Sequence, residues 1–286
     1  MFNYENAFSR NIGWLTNTEQ LSLQSKRVAI AGAGGVGGEH IVTLARLGIG
    51  AFNISDFDVF EEHNFNRQAG AFVSTLGRDK MAVMKEVALD INPNLNVKTF
   101  PTGIDNNNVD EFLDGADVYI DSLDFFAHQA RKLVYQKCQD KNIPVIVAAP
   151  IGMGAATLCF TSDSMGYEEY FRFADCRNEN EELVKFLIGL SPSLMQKSYL
   201  VDPSTSDFLA KKAPSLPMGV KLCAGVAASF AVKILLNRGQ LVTAPHGLHF
   251  DAYKNKMVKT WRPWGNRNPI QKLVFMIAKK VVLKAN

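Results

Sequence analysis

The run from Arg27 to Gly38, Arg-Val-Ala-Ile-Ala-Gly-Ala-Gly-Gly-Val-Gly-Gly, limits the possible folds of this 286-residue chain more than any other stretch. Val28 to Ala31 is a continuous apolar run of strand length. Gly32, Gly34 and Gly37 follow in the spacing Gly-x-Gly-x-x-Gly, and apolar residues from Val36 to Leu47 then recur at helical spacing. A strand, a glycine turn and a helix in that order leave backbone N–H groups without intrahelical acceptors at the positive end of the helix dipole. Such an end binds phosphate, and glycine lets the anion approach the backbone closely. The motif specifies a nucleotide or dinucleotide and does not choose between them.

Further along, strands are expected at 51–56, 95–100, 116–121 and 143–149, alternating with helices at 78–91, 109–113 and 126–141. Met81, Met84, Val87, Ala88 and Ile91 share one helix face, and Asn92-Pro93-Asn94 stops that helix. This alternation predicts a parallel sheet covered on both faces. Past Pro150 the pattern changes. Residues 154–161 read as a strand leaving the parallel order, and 162–214 as a polar, irregular crossover over the sheet's carboxyl edge, with one helix at 180–189. A long apolar helix is expected at 218–236, paired strands at 247–253 and 256–261, a turn-rich link at 263–269 and a last helix at 270–284. The expected architecture is α/β, a Rossmann-like doubly wound, mainly parallel sheet with a C-terminal antiparallel extension. It is read as a single domain over 1–286: a nucleotide-binding core (1–160), a crossover segment (161–216), a helix and strands (217–262) and a basic amphipathic tail (263–286).

Composition is that of a globular protein, 47% hydrophobic and 21% charged. No run of about 18 apolar residues stands out, so no spanning helix is expected. Residues 1–13 lack the features of a signal peptide. The four cysteines, Cys138, Cys159, Cys176 and Cys223, form no Cys-x-x-Cys pair and read as reduced thiols of a cytoplasmic protein. The net charge of +3 hides an asymmetry: Lys254 to Asn286 holds nine Lys or Arg and no acid, leaving −6 for the rest. In the last helix Ile270, Leu273, Val274, Ile277 and Val281 fall on one face, with Lys272 and Lys279 opposite. Such a helix docks on its own domain or a partner subunit, lies on an anionic membrane, or binds RNA.

The residues that carry chemistry lie downstream of the glycine loop. Asp56 closes the second strand, 19 residues after Gly37, where a carboxylate accepts both hydrogen bonds of the ribose diol of NAD or ATP. Asn64-Phe-Asn66-Arg67-Gln68 and Gly77-Arg-Asp-Lys80 gather cations near that loop. A triphosphate calls for such cations more than a dinucleotide does, because transfer at phosphorus is stabilised by positioned charge and metal. Asp124, after the fourth strand, is placed either to hold magnesium or to cap the next helix. Arg131 reads as a structural ion-pair partner. His40, His63, His128, His246 and His249 are scattered, and only His246 with His249 forms a weak metal pair.

In this order the motifs resemble the ThiF/MoeB/HesA family of ubiquitin-activating-enzyme-like adenylyltransferases. The resemblance runs from Phe8-Ser9-Arg10 through Gly32-x-Gly34-Gly35-Val36-Gly37, Asp56-x-Asp58, Asn64-x-Asn66-Arg67-Gln68, Gly77-x-x-Lys80, Ile91-Asn92-Pro93 and Asp121-x-x-Asp124 to the strand at Ile143. It implies ATP, magnesium and adenylation of a carboxylate, often the C-terminal glycine of a ubiquitin-like or sulfur-carrier protein. By position it implies Asp56 on ribose, Asn64, Arg67 and Lys80 on phosphates, and Asp124 on magnesium. Asp58 and Gln68 fall within the same nucleotide-binding set. It implies a homodimer in which Arg10 reaches the partner's ATP. The paired Cys-x-x-Cys motifs of zinc-holding members are missing, so no zinc is expected, and Phe125 replaces the usual Asn after Asp124. Cys176 is the one crossover cysteine available as a nucleophile. The leading expectation is an ATP-dependent adenylyltransferase acting on a protein or peptide C-terminus. The alternatives are a dehydratase similar to the tRNA threonylcarbamoyladenosine-cyclising enzyme, a non-catalytic nucleotide-binding scaffold, and an NAD or FAD protein.

Overall fold

The computed structural model describes residues 2–202, 205 and 213–282. Among them eight strands form one sheet: β1 (Arg27–Ala31), β2 (Ala51–Ser55), β3 (Asn96–Phe100), β4 (Val118–Asp121), β5 (Val145–Ile151), β6 (Gly154–Phe160), β7 (His246–Asp251) and β8 (Lys256–Trp261). Their spatial order is β3-β2-β1-β4-β5-β6-β7-β8. The first five run parallel, and β6, β7 and β8 each lie antiparallel to the strand before. The helices are α1 (Tyr4–Ala7), α2 (Asn17–Gln24), α3 (Gly35–Leu47), α4 (Lys80–Ile91), α5 (Val109–Phe112), α6 (His128–Asp140), α7 (Tyr167–Phe171), α8 (Glu179–Leu190), α9 (Pro217–Leu235) and α10 (Pro269–Val282).

β1 is fully buried from Val28 to Ala31, as a central parallel strand must be. Its alternate side chains feed two cores. Val28 and Ile30 join Ile41, Leu44, Ala227 and Phe230 under α3 and α9. Ala29 and Ala31 join Tyr119, Tyr135, Phe171 and Phe186 under α6, α7 and α8. From β1 the chain winds outward to β2 and β3, then returns to the other side of β1 at β4. That reversal opens a crevice at the carboxyl ends of β1 and β4. α3 starts at this crevice and stops at Gly48 (φ 91°), where a side chain would strike Gln20 and Tyr4. Tyr4 Oη donates to the Gly48 carbonyl at 2.6 Å, tying the first helix to the far end of α3.

Two expectations are corrected. Residues 162–191 are not a polar, irregular crossover. The helix expected at 180–189 is present as α8, an unexpected helix, α7, precedes it, and the segment buries Tyr167, Tyr170, Phe171, Phe173 and Phe186 together. The aromatic residues supply the inner face, while Glu168, Glu169 and Glu179 on the outer side give the segment its polar look. Only beyond Ser191 does the chain reach the sheet's carboxyl edge. There Tyr199 Oη accepts from the Met153 N–H after β5 (2.9 Å), and Asn66 Nδ2 donates to the Ser215 carbonyl (3.0 Å). Residues 203–204 and 206–212 of the expected crossover lie outside the described residues.

The second correction is α9. At 19 residues with a mean hydropathy of 1.6 it is long and apolar enough to cross a membrane, although no such run was expected. Half of that stretch is buried inside the fold, and the helix packs on α3, β5 and β6. Its apolar character is that of a core helix with a long contact line. α10 docks on α8, one of the alternatives expected for it, with Gln271, Phe275 and Lys279 inward, and Ile270, Leu273 and Ile277 stay exposed. Residues 283 and 284 of the expected helix lie outside the described residues.

Candidate nucleotide site

The four loop glycines divide into two jobs. A methyl on Gly37 would sit 1.8 Å from the Gly32 carbonyl oxygen, and one on Gly32 (φ 94°) would sit 2.2 Å from the Ser122 carbonyl oxygen. These two close the loop onto the end of β4. Gly34 and Gly35 face outward instead. A methyl there would first meet the Gln68 amide at 3.5 Å and Arg67 Nε at 3.9 Å respectively. The space a side chain would fill at these two positions is a cradle, with the first-turn amides of α3 at its base.

Asp56 follows β2 and organises the loop. Its Oδ2 accepts the Ala33 N–H at 2.6 Å, and its Oδ1 accepts the Asp58 N–H at 2.8 Å. Burial raises its pKa above the ordinary carboxylate value, against the lowering effect of those two N–H groups and of Lys80. Lys80 opens α4, where Asp79 caps the helix by accepting the Ala82 N–H at 2.7 Å. The Lys80 ammonium is 7% exposed and lies 3.0 Å from Asp58 Oδ2. Asp58, half-exposed, is thus its ion-pair partner, and the same ammonium acts on the Asp56 carboxylate.

Arg67 occupies the outer lip. Its Nη1 donates to the His63 carbonyl (3.0 Å) and Asn66 Oδ1 (2.9 Å), which fixes the guanidinium over the start of α3. Burial works against its charge, and the carboxylate of Asp124, across the crevice, supports it. Asn64 is buried, and its Oδ1 accepts the Glu61 N–H at 3.0 Å, so its side chain braces the turn that carries Arg67. Gln68 lies beside Gly34, and its Oε1 is buried without a protein partner.

Asp124 is exposed on the opposite lip, with Oδ1 accepting the Phe126 N–H at 2.9 Å. It does not cap a helix at Phe125, because α6 begins only at His128. The Asp124 segment is held from below. Arg131, 2% exposed, pairs with Asp121 through Nε at 2.7 Å and donates to the carbonyls of Leu123, Asp124 and Phe125. Magnesium needs one or two carboxylates plus phosphate oxygens, and an exposed Asp124 facing the phosphate loop fits that donor set. Ser122, which nothing in the sequence singled out, has a buried Oγ with no protein partner beside Gly37. Its position directly after the last residue of β4 was the available signal.

Other expected residues lie elsewhere. Arg10 lines a 410 Å³ cleft with Asn11, Trp14, Leu47 and Val232, at the far end of α3. A helix of 13 residues separates that cleft from the loop by about 20 Å. Arg10 therefore does not reach the loop of its own chain. The Cys176 thiol sits near Lys185, Glu182 and Glu181, and burial raises its pKa, with Lys185 working against that rise, so the thiol is not poised as a thiolate. His246 and His249 do not converge. His246 stacks on Trp261, whereas His249 Nδ1 lies 2.7 Å from Ser193 Oγ, because residues three apart on a strand face opposite ways. Among the described residues no three His, Cys, Asp or Glu side chains gather as a metal site.

A doubly wound sheet, a glycine turn at its switch point and a carboxylate after β2 define the Rossmann-like class of nucleotide-binding proteins. Within that class the ThiF family model matches residues 8–272, and the chain belongs to the ThiF family. It is 33% identical over 129 residues to the adenylyltransferase and sulfurtransferase UBA4 of Meyerozyma guilliermondii, covering 45% of this chain and 30% of that protein. It is 33% identical over 150 residues to the tRNA threonylcarbamoyladenosine dehydratase of Bacillus subtilis, covering 52% and 57%. The chain thus spans about a third to just over half of the length of these two relatives. The crystal structure of PaaA superposes with a TM-score of 0.68 at 21% identity, over 90% of this chain and 82% of that one, and shares the fold.

Proposed function

We propose that this protein uses ATP to activate a carboxylate as an acyl-adenylate, with release of pyrophosphate. What carries the reading is the pairing across one crevice of Arg67 over the start of α3 with Asp124, next to the buried Lys80. A dinucleotide's two phosphates need little beyond the loop amides, whereas three phosphates and a divalent ion need this extra charge of both signs. Asp56 receives the ribose, the α3 amides and Gln68 line the phosphates, and Arg67 and Lys80 neutralise the leaving pyrophosphate. Asp124 would hold magnesium, which would offset the charge of the phosphates. An ionised carboxylate is already a nucleophile, so the protein's task is to align it with the α-phosphorus, and no general base is required.

The leading substrate is the C-terminal carboxylate of a ubiquitin-like or sulfur-carrier protein or of a peptide, in keeping with the adenylyltransferases among the relatives. The match to a tRNA dehydratase and the nine cationic residues after Asp251 favour a second reading, a carboxylate on a modified tRNA base. An ATP–pyrophosphate exchange assay across small carrier proteins, peptides and tRNA separates the two. Lys80→Ala and Asp124→Ala are expected to lower exchange by about a hundredfold or more with unchanged circular dichroism. Full exchange in both variants would refute the assignment.

A further inference from the structure

α10 turns Gln271, Phe275 and Lys279 toward the layer beneath it. Lys279 pairs with Glu181 of α8, Gln271 Oε1 accepts from Arg262 Nη2 at 2.8 Å, and the Phe275 ring lies 5.6 Å from the Lys185 ammonium. Glu181 and Arg262 are 4% and 1% exposed, so these contacts satisfy charges that water does not reach. Rotating the helix to bury its apolar side would cost Glu181 its Lys279 partner and Arg262 its Gln271 partner, leaving them the Arg177 N–H and Asn266 Oδ1. The orientation is therefore fixed by the buried ions of the layer beneath it.

The consequence is an apolar stripe facing out. Ile270, Leu273, Met276 and Ile277 are 68%, 54%, 55% and 55% exposed, and at about 100° per residue they fall within roughly a third of the helix circumference. Trp264, in the turn before the helix, is 66% exposed. Lys272 is exposed beside the stripe, Lys280 within its arc at the C-terminal end and Arg267 before the helix, and no acidic residue occurs after Asp251. We propose that this face of α10, with Trp264, is a docking surface for an anionic phospholipid bilayer, on which the helix lies in the plane of the headgroups.

Charge complementarity selects this occupant. An isologous contact between two copies would set Lys272 and Lys280 against their equivalents, and α10 itself carries no carboxylate to compensate. An anionic leaflet attracts the same cations while its acyl boundary takes the aliphatic stripe, and tryptophan favours that boundary. The surface is independent of the nucleotide crevice, so its test needs neither ATP nor a substrate.

The test is co-sedimentation of the full chain with vesicles of phosphatidylcholine containing phosphatidylserine, against phosphatidylcholine alone, with tryptophan emission read in parallel. Binding to the anionic vesicles with a blue shift is expected, weakening as salt rises. Leu273→Gln with Ile277→Gln should weaken it about tenfold or more, and Lys272→Gln with Lys280→Gln should remove the preference for phosphatidylserine. Both double variants should retain the wild-type melting temperature, since neither pair is buried. Absence of wild-type binding at low salt, or undiminished binding by the Leu273 and Ile277 variant, overturns the proposal. So does a concentration-dependent dimer that this variant abolishes while vesicles remain unbound; the stripe is then an interface between copies.

Discussion

Gly35 and Gly37 stand two residues apart in the first turn of α3, and alanine at each has a different expected outcome. At Gly37 the added methyl meets the Gly32 carbonyl at 1.8 Å and Ser122 Cβ at 3.0 Å, both in packed surroundings. Gly37→Ala should cost about 3 kcal/mol or more and appear as a large fall in melting temperature or as insoluble protein. At Gly35 the nearest atom is the end of the Arg67 side chain at 3.9 Å, so Gly35→Ala should fold and melt close to wild type. Its methyl would enter the phosphate cradle, and calorimetric titration with ATP should show about tenfold weaker binding. The spacing Gly-x-Gly-x-x-Gly was legible in the chain, but not which glycine serves packing and which serves the ligand. The same holds for Asn64: the resemblance implies a phosphate contact, and its Oδ1 accepts the Glu61 N–H. A side chain's partner depends on which loop lies opposite, and the spacing of residues does not contain that.

At the level of elements, α3 shows what burial does to a polar residue. Packed between α4 and α9, it carries His40 at 1% exposure with neither ring nitrogen partnered. Burial pushes that imidazole down to about 3 from 6.5. The folded state thus favours the neutral ring. His40 costs nothing in pH-dependent stability above 6.5, and stability is lost as pH falls from 6.5 toward 3, because the unfolded chain binds the proton first. Between pH 6.5 and 5 the loss from this residue is about 2 kcal/mol. His40→Leu should remove that part of the decline, which denaturant titrations at pH 7.5 and pH 5 would measure as a smaller difference between the two than in wild type. The elements themselves were well marked, since strand runs and helix periods are local. The stretch before α8 was not, because its apolar face is built from a few aromatic residues, Tyr167, Tyr170, Phe171 and Phe173, on one short helix and the turn after it. In α10 the period identified the apolar face correctly, but the buried Glu181 and Arg262 decided which face turned inward.

For the whole molecule the open question is assembly. Arg10 lies about a helix length from its own crevice, so any role on ATP must be played on a second copy. If the protein works as a homodimer with crossed sites, Arg10→Ala and Lys80→Ala are each inactive alone. Unfolding and refolding the two together should restore about a quarter of wild-type exchange, because half the dimers are mixed and each mixed dimer has one intact site. No recovery, with mixed dimers shown to form, excludes the crossed arrangement. By itself the sequence determined the strand–turn–helix that binds phosphate, the alternation that forces a covered parallel sheet and the carboxylate after the second strand, since each is written within a few neighbouring residues. Tertiary structure alone decided that Arg67 and Asp124 face each other over one crevice, that Arg131 props up the segment bearing Asp124 and that α10 shows its apolar side outward. Those outcomes depend on contacts between distant segments and on which buried charges must be satisfied, and a linear pattern records neither.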